Sequence, residues 1–183
     1  MRLFVAVDLS DDIRDKLYSV IRRIEGFRGI KTVERENIHI TLMFLGDVKD
    51  RNVEIVRERL REVEMRRFKI RLRGIGFFPS RDNIRVIWAG VEDGKDELKM
   101  LADKIERNLK KLGFKRDKEF VAHATIARAK RLDLGNRLKI LRILEEFSDK
   151  EFGIMDVEDF RLKKSTLTPK GPIYEDLEVY RLI

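Results

Sequence analysis

Apolar residues fall along this chain in two rhythms. Leu3 to Leu9 is apolar on both alternating faces, with Leu3, Val5 and Val7 on one and Phe4 and Ala6 on the other, as in a strand covered from both sides. Ser10 then offers an N-cap, and Asp11 and Asp12 fall in the first helical turn, where the macrodipole favours acid. Ile13, Leu17, Val20, Ile21 and Ile24 follow at helical spacing as far as Gly26, a plausible stop. The β-then-α order repeats. Ile38 to Leu45 reads as a strand ending at Gly46-Asp47, and Val53, Val56, Leu60 and Val63 form the stripe of a second helix.

Further on, Phe68 to Leu72 alternates apolar and basic residues before a Gly74-Ile75-Gly76-Phe77-Phe78-Pro79 segment, and Arg85 to Gly90 reads as another strand. Leu98, Leu101, Ile105, Leu109 and Leu112 predict a third helix ending at Gly113. Val121 to Ala127 is a strand, and Leu138, Leu141, Leu144 and Phe147 suit a fourth, shorter helix. Three β-like runs close the chain, around Phe152 to Val157, Phe160 to Leu167 and Leu177 to Ile183, with Pro169-Lys170-Gly171-Pro172 turning the last two. With no Gly/Ser linker, residues 1–183 are expected to fold as one domain.

Composition narrows the chemistry. There is no cysteine, which removes disulfides, thiolate nucleophiles and cysteine metal clusters together, and two histidines do not make a usual structural zinc site. The opening segment is apolar too briefly for a signal peptide, and no run approaches a membrane span, so a soluble, cytoplasmic monomer is expected. The formal charge of +8 favours a polyanionic partner such as nucleic acid, although a chain that is 40% charged also suits a surface laced with ion pairs for heat.

One internal echo stands out. Ile38-His39-Ile40-Thr41-Leu42 and Ala122-His123-Ala124-Thr125-Ile126 share a histidine, an apolar residue, a threonine and a second apolar residue, and they contain the only two histidines of the chain. Strand alternation puts His39 and Thr41 on one face, with Ile40 and Leu42 on the other; His123 and Thr125 are set against Ala124 and Ile126 in the same way. Either histidine alone reads as readily as a satisfied polar group, and threonine is common in strands. The coincidence of both motifs is what points to one joint site, carried by two related lobes that face each other.

An imidazole titrates near neutral pH and serves as acid or base. Two opposed imidazoles can deprotonate an incoming nucleophile and protonate a departing oxygen, as in-line displacement at phosphorus requires. Thr41 and Thr125 can donate to nonbridging phosphate oxygens, and Arg128 can add bidentate contacts if the strand end bends or the residue reaches across the rim. Neither a Gly-x-Ser-x-Gly elbow nor a Walker or Gly-x-Gly-x-x-Gly loop occurs, so metal-free chemistry with no cofactor is the simpler reading.

The chain also resembles the 2H phosphoesterase superfamily, through His39-Ile40-Thr41-Leu42 and His123-Ala124-Thr125-Ile126. It is most similar to the bacterial and archaeal RNA 2',3'-cyclic phosphodiesterases, also called 2'-5' RNA ligases. Phe4-Val5-Ala6-Val7-Asp8-Leu9, Glu36 to Gly46, Phe77-Phe78-Pro79, Arg85 to Gly90, Leu112-Gly113-Phe114, Ala127-Arg128 and Gly171-Pro172-Ile173-Tyr174 carry the rest of the likeness. The resemblance implies a bilobal α+β fold, each lobe an antiparallel sheet with helices on its outer side and a central cleft between the lobes. It implies an RNA partner with a terminal 2',3'-cyclic phosphate, hydrolysed to a 2'-phosphomonoester. It assigns His39 as proton donor to the departing 3'-oxygen, His123 as the base that activates water, and Thr41 and Thr125 as phosphate holders; some members also join RNA ends. Ala122 departs from the proline that relatives often carry there, which bears on strand rigidity.

A competing expectation is nonenzymatic binding of single-stranded RNA or RNA ends in a basic cleft, with Phe44, Phe77 or Phe78 as stacking platforms.

Overall fold

The computed structural model describes residues 1–183. Its elements are β1 (Arg2–Asp8), α1 (Asp11–Ile24), β2 (Ile30–Thr32), a 3-10 turn (Arg35–Asn37), β3 (His39–Asp47), α2 (Asp50–Arg61), β4 (Phe68–Ser80), β5 (Asn83–Val91), α3 (Lys95–Lys110), β6 (His123–Ala129), α4 (Leu134–Glu146), β7 (Glu151–Val157), β8 (Asp159–Thr168) and β9 (Gly171–Arg181). The architecture is α+β, an antiparallel sheet with peripheral helices. No helix is long and apolar enough to cross a membrane.

Local signals set most of these elements. Ser10 Oγ accepts from the Ile13 N–H at 3.3 Å, and Ile13, Leu17, Val20, Ile21 and Ile24 are all fully buried. Each such side chain contributes about 1.5–3 kcal/mol by leaving water. Gly26 does not stop the helix; Glu25 closes it in right-handed conformation. Gly113 behaves as expected, with φ +91° after α3.

The strands form one path in the order β7-β4-β5-β6-β3-β1-β8-β9, with β2 paired to β6. A separate sheet for each lobe was the expectation; one continuous sheet is the finding. Its halves, β9-β8-β1-β3 and β6-β5-β4-β7, meet at Ile40 and Ala124, the single register pair between β3 and β6. About that pair β1 corresponds to β5, β8 to β4 and β9 to β7. Helix α1 follows β1 in sequence yet packs on β6 and β7, while α3 follows β5 and packs on β3. These crossings bury apolar surface across the junction, where hydrogen bonding is sparse.

Several boundaries differ from those the periodicity predicts. Phe68–Ser80 is not a strand followed by a glycine segment but one strand of 13 residues, with an irregularity after Leu72 that absorbs Gly74 and a second after Phe78, while Gly76 stays in register with Trp88. Strand β9 begins at Gly171, well before Leu177, because its first residues, Gly171 to Ile173, pair only with β8 beyond the end of β1, a ribbon that needs no apolar alternation. Helix α4 starts at Leu134, where Asp133 accepts from the Asn136 N–H at 2.7 Å. Val63 lies beyond α2, and β2 is too short to show a period.

Candidate active site

His39 opens β3 and His123 opens β6. In the register set by Ile40 and Ala124, His39 faces Thr125 and His123 faces Thr41, all four on the sheet face opposite the buried Ile40 and Ala124. The two imidazoles are therefore diagonal neighbours, a relation that spans about 7–8 Å across an antiparallel pair.

Both rings are held alike. His39 Nδ1–H donates to the Asn37 carbonyl at 2.6 Å and His123 Nδ1–H to the Val121 carbonyl at 2.7 Å, each acceptor two residues back. A carbonyl can only accept, so the neutral rings carry their proton on Nδ1 and leave Nε2 as the base. They differ at Nε2. The Thr41 hydroxyl donates to His39 Nε2 at 2.8 Å, while His123 has no equivalent bond to Thr125.

Matching irregularities then bring in Arg128. Strict alternation would put Met43 on the His39 face and Ala127 on the His123 face. Instead the pairing of β1 with β3 skips Leu42, and that of β5 with β6 skips Ile126. Leu42 and Met43 both turn to the core, as do Ile126 and Ala127, and the next residues, Phe44 and Arg128, emerge on the histidine face. The Arg128 cation acts on both His123 and Tyr174.

His39 lies in a denser environment. Its ring centroid is 5.1 Å from Phe4 and 5.5 Å from Tyr174. Asp8, its register partner on β1, meets Lys163 Nζ at 3.0 Å and an Arg14 nitrogen at 3.7 Å, and Lys163 also meets Asp176 at 2.7 Å. Arg14 donates to the Ile38 carbonyl at 2.8 Å, fixing the residue before the motif. Burial pushes the His39 imidazole down to about 4, with Lys163 and Arg14 acting in the same sense and the Asn37 carbonyl and Asp8 opposing. Burial also lowers His123, aided by Arg128 and opposed by the Val121 carbonyl.

A family model described as LigT like Phosphoesterase matches residues 7–88 and 90–174, a span that holds both motifs. The chain belongs to the LigT-like phosphoesterase family. It is 48% identical over 180 residues to the RNA 2',3'-cyclic phosphodiesterase of Archaeoglobus fulgidus, covering 98% of this chain and 99% of that protein. The corresponding protein of Methanothermobacter thermautotrophicus is 40% identical over 187 residues, covering 100% and 99%. Among solved structures, TT0787 of Thermus thermophilus superposes with a TM-score of 0.81 at 32% identity, covering 99% of this chain and 97% of that one. Apo LigT of E. coli shares the fold, with a TM-score of 0.76 at 23% identity and coverage of 99% and 96%.

In this LigT-like phosphoesterase the second histidine has its own aromatic wall. Phe78 lies 5.4 Å from His123 and 5.0 Å from Trp88, ring centre to centre. A Cβ at Gly76 would fall inside the Trp88 indole, so glycine is what lets the indole lie across β4. Phe77 packs against the core instead of joining this wall. Phe4, Asp8, Lys163, Tyr174 and Trp88 escape the periodicity argument as site residues; a buried lysine beside the site shows only once β1, β8 and β9 are paired. No group of three or more His, Asp and Glu side chains is arranged to hold a metal ion.

Proposed function

We propose that this chain hydrolyses a terminal RNA 2',3'-cyclic phosphate to a 2'-phosphomonoester without a metal. The carrying observation is the diagonal pair of imidazoles, each anchored at Nδ1 by the carbonyl two residues back. Membership of a family whose relatives are named RNA 2',3'-cyclic phosphodiesterase supports it. The two halves of the sheet act as lobes either side of a central cleft, and the phosphate sits between them.

His123 Nε2 takes a proton from water as its oxygen bonds to phosphorus; the bond from phosphorus to O3' breaks, and His39 donates a proton to O3'. Each transfer is worth about 10²–10⁴ in rate. His39 is neutral in the free chain at pH 7, so it gains its proton as the anionic phosphodiester binds beside it and offsets the burial. Thr41, Thr125 and Arg128 hold the nonbridging oxygens, and a 5'-hydroxyl in place of water gives 2'-5' joining by the same two transfers, His123 deprotonating the 5'-hydroxyl and His39 protonating the departing O3'. The chain acts as a cytoplasmic monomer.

The test is incubation with EDTA and an RNA ending in a 2',3'-cyclic phosphate. A 2'-phosphate end is expected; turnover no greater than that of the His39→Ala/His123→Ala double variant overturns the reading.

A further inference from the structure

Beside the phosphate site, the first half of the sheet carries an exposed apolar surface. Phe44 is 68% exposed, and its ring centroid lies 6.2 Å from Phe4, which in turn lies 4.9 Å from Tyr174. On the hairpin of β8 and β9, Leu167 pairs with Pro172 and Ser165 with Tyr174, so alternation puts Leu167 on the Tyr174 face, and it is 69% exposed. The hairpin runs on past the end of β1 and returns over it, since Asn37 Nδ2 donates to the Pro172 carbonyl at 3.2 Å. In the second half the aromatics Phe78 and Trp88 are half-buried against each other and His123, and the counterpart of Phe44 is Arg128.

The surface is flanked by positive charge. Arg2 is exposed, pairs in register with Ser165 and acts on the Tyr174 phenol, and Lys170 is exposed at the hairpin tip. Of the nearby carboxylates, Asp176 is engaged by Lys163 and Arg161 at 2.7 Å each, Glu175 falls on the opposite face from Tyr174, and Asp47 lies across from Arg2. An exposed phenylalanine ring beside a half-buried tyrosine, with a guanidinium nearby, suits a nucleobase and the phosphate that precedes it.

We propose that Phe44, Tyr174, Leu167 and Arg2, with Phe4 buried beneath the rings, bind the nucleotide immediately 5' of the terminal one, so that the site selects the end of an RNA strand over a free nucleoside cyclic phosphate. This rests on the phosphodiesterase reading. There O3' departs toward His39, which sets the ribose on the His39 half, and the strand leaving that ribose at its 5' side crosses this half. The penultimate base stacks on the apolar surface, and Arg2 takes the phosphate between the two nucleotides.

The experiment compares kcat/KM for a dinucleotide ending in a 2',3'-cyclic phosphate with that for the corresponding nucleoside 2',3'-cyclic phosphate. The wild type is expected to favour the dinucleotide by about tenfold or more. In Leu167→Glu and in Arg2→Glu the preference falls toward one, while Ile154→Glu, at a 53% exposed position on the far edge strand β7, keeps it. A wild-type ratio near one overturns the subsite, as does a high ratio that neither variant reduces. Turnover of neither substrate overturns the phosphodiesterase reading itself, a distinct outcome.

Discussion

Ile40 on β3 and Ala124 on β6 are the one register pair joining the two halves of the sheet, and their pairing sets each histidine across from the other motif's threonine. The four groups thus form a square on one face, with each imidazole fixed by its own backbone. Four experiments can probe this arrangement.

Substituting His39 or His123 by alanine is expected to lower kcat by about 10²–10⁴ each, and the double variant to lose little more than the worse single, because the two transfers act as a unit. Thermal unfolding should change little, since both rings are half-buried on the open face. A large loss of Tm with retained activity would make them structural.

Stability should depend on His39 at acid pH. Burial holds its folded pKa near 4, below the usual 6.5, so between those values the unfolded chain binds more protons and stability falls as the pH drops. The full effect is about 3 kcal/mol, complete below pH 4. Urea unfolding of the wild type and of His39→Gln from pH 7 to 4 should show this component only in the wild type. Lys163→Met removes a cation that depresses the ring, so its Hε1 resonance should titrate at higher pH.

Arg128→Ala is expected to reduce kcat/KM by about 10–100-fold, the worth of hydrogen bonds to a charged group. Arg128→Lys should recover only part, having no planar fork. Full activity in the alanine variant would show that the irregularity at Ile126 does not serve phosphate binding.

Gly76→Ala should displace the Trp88 indole and with it the wall against His123. A cost of about 1–3 kcal/mol is expected from overpacking. Trp88 is the sole tryptophan, so its emission reports the shift directly, and an unchanged spectrum would contradict the packing described.

The sequence alone determined that two strands each show a histidine and a threonine to one side, because a side-chain period of two needs no partner strand. It determined α1 and α3 as well, through caps and stripes that act within one helix. Tertiary structure alone decided what lies beside those residues. Skipping Leu42 and Ile126 is a mismatch between paired strands, invisible in either one, and it turns Arg128 toward the site. Asp8, Lys163 and Asp176 form an ion cluster only when β1, β8 and β9 are adjacent, and Tyr174 reaches His39 only because the hairpin returns over the sheet. The histidine pair is local in its chemistry, whereas its pKa values, its aromatic walls and the neighbouring Arg128 cation depend on which strands lie together.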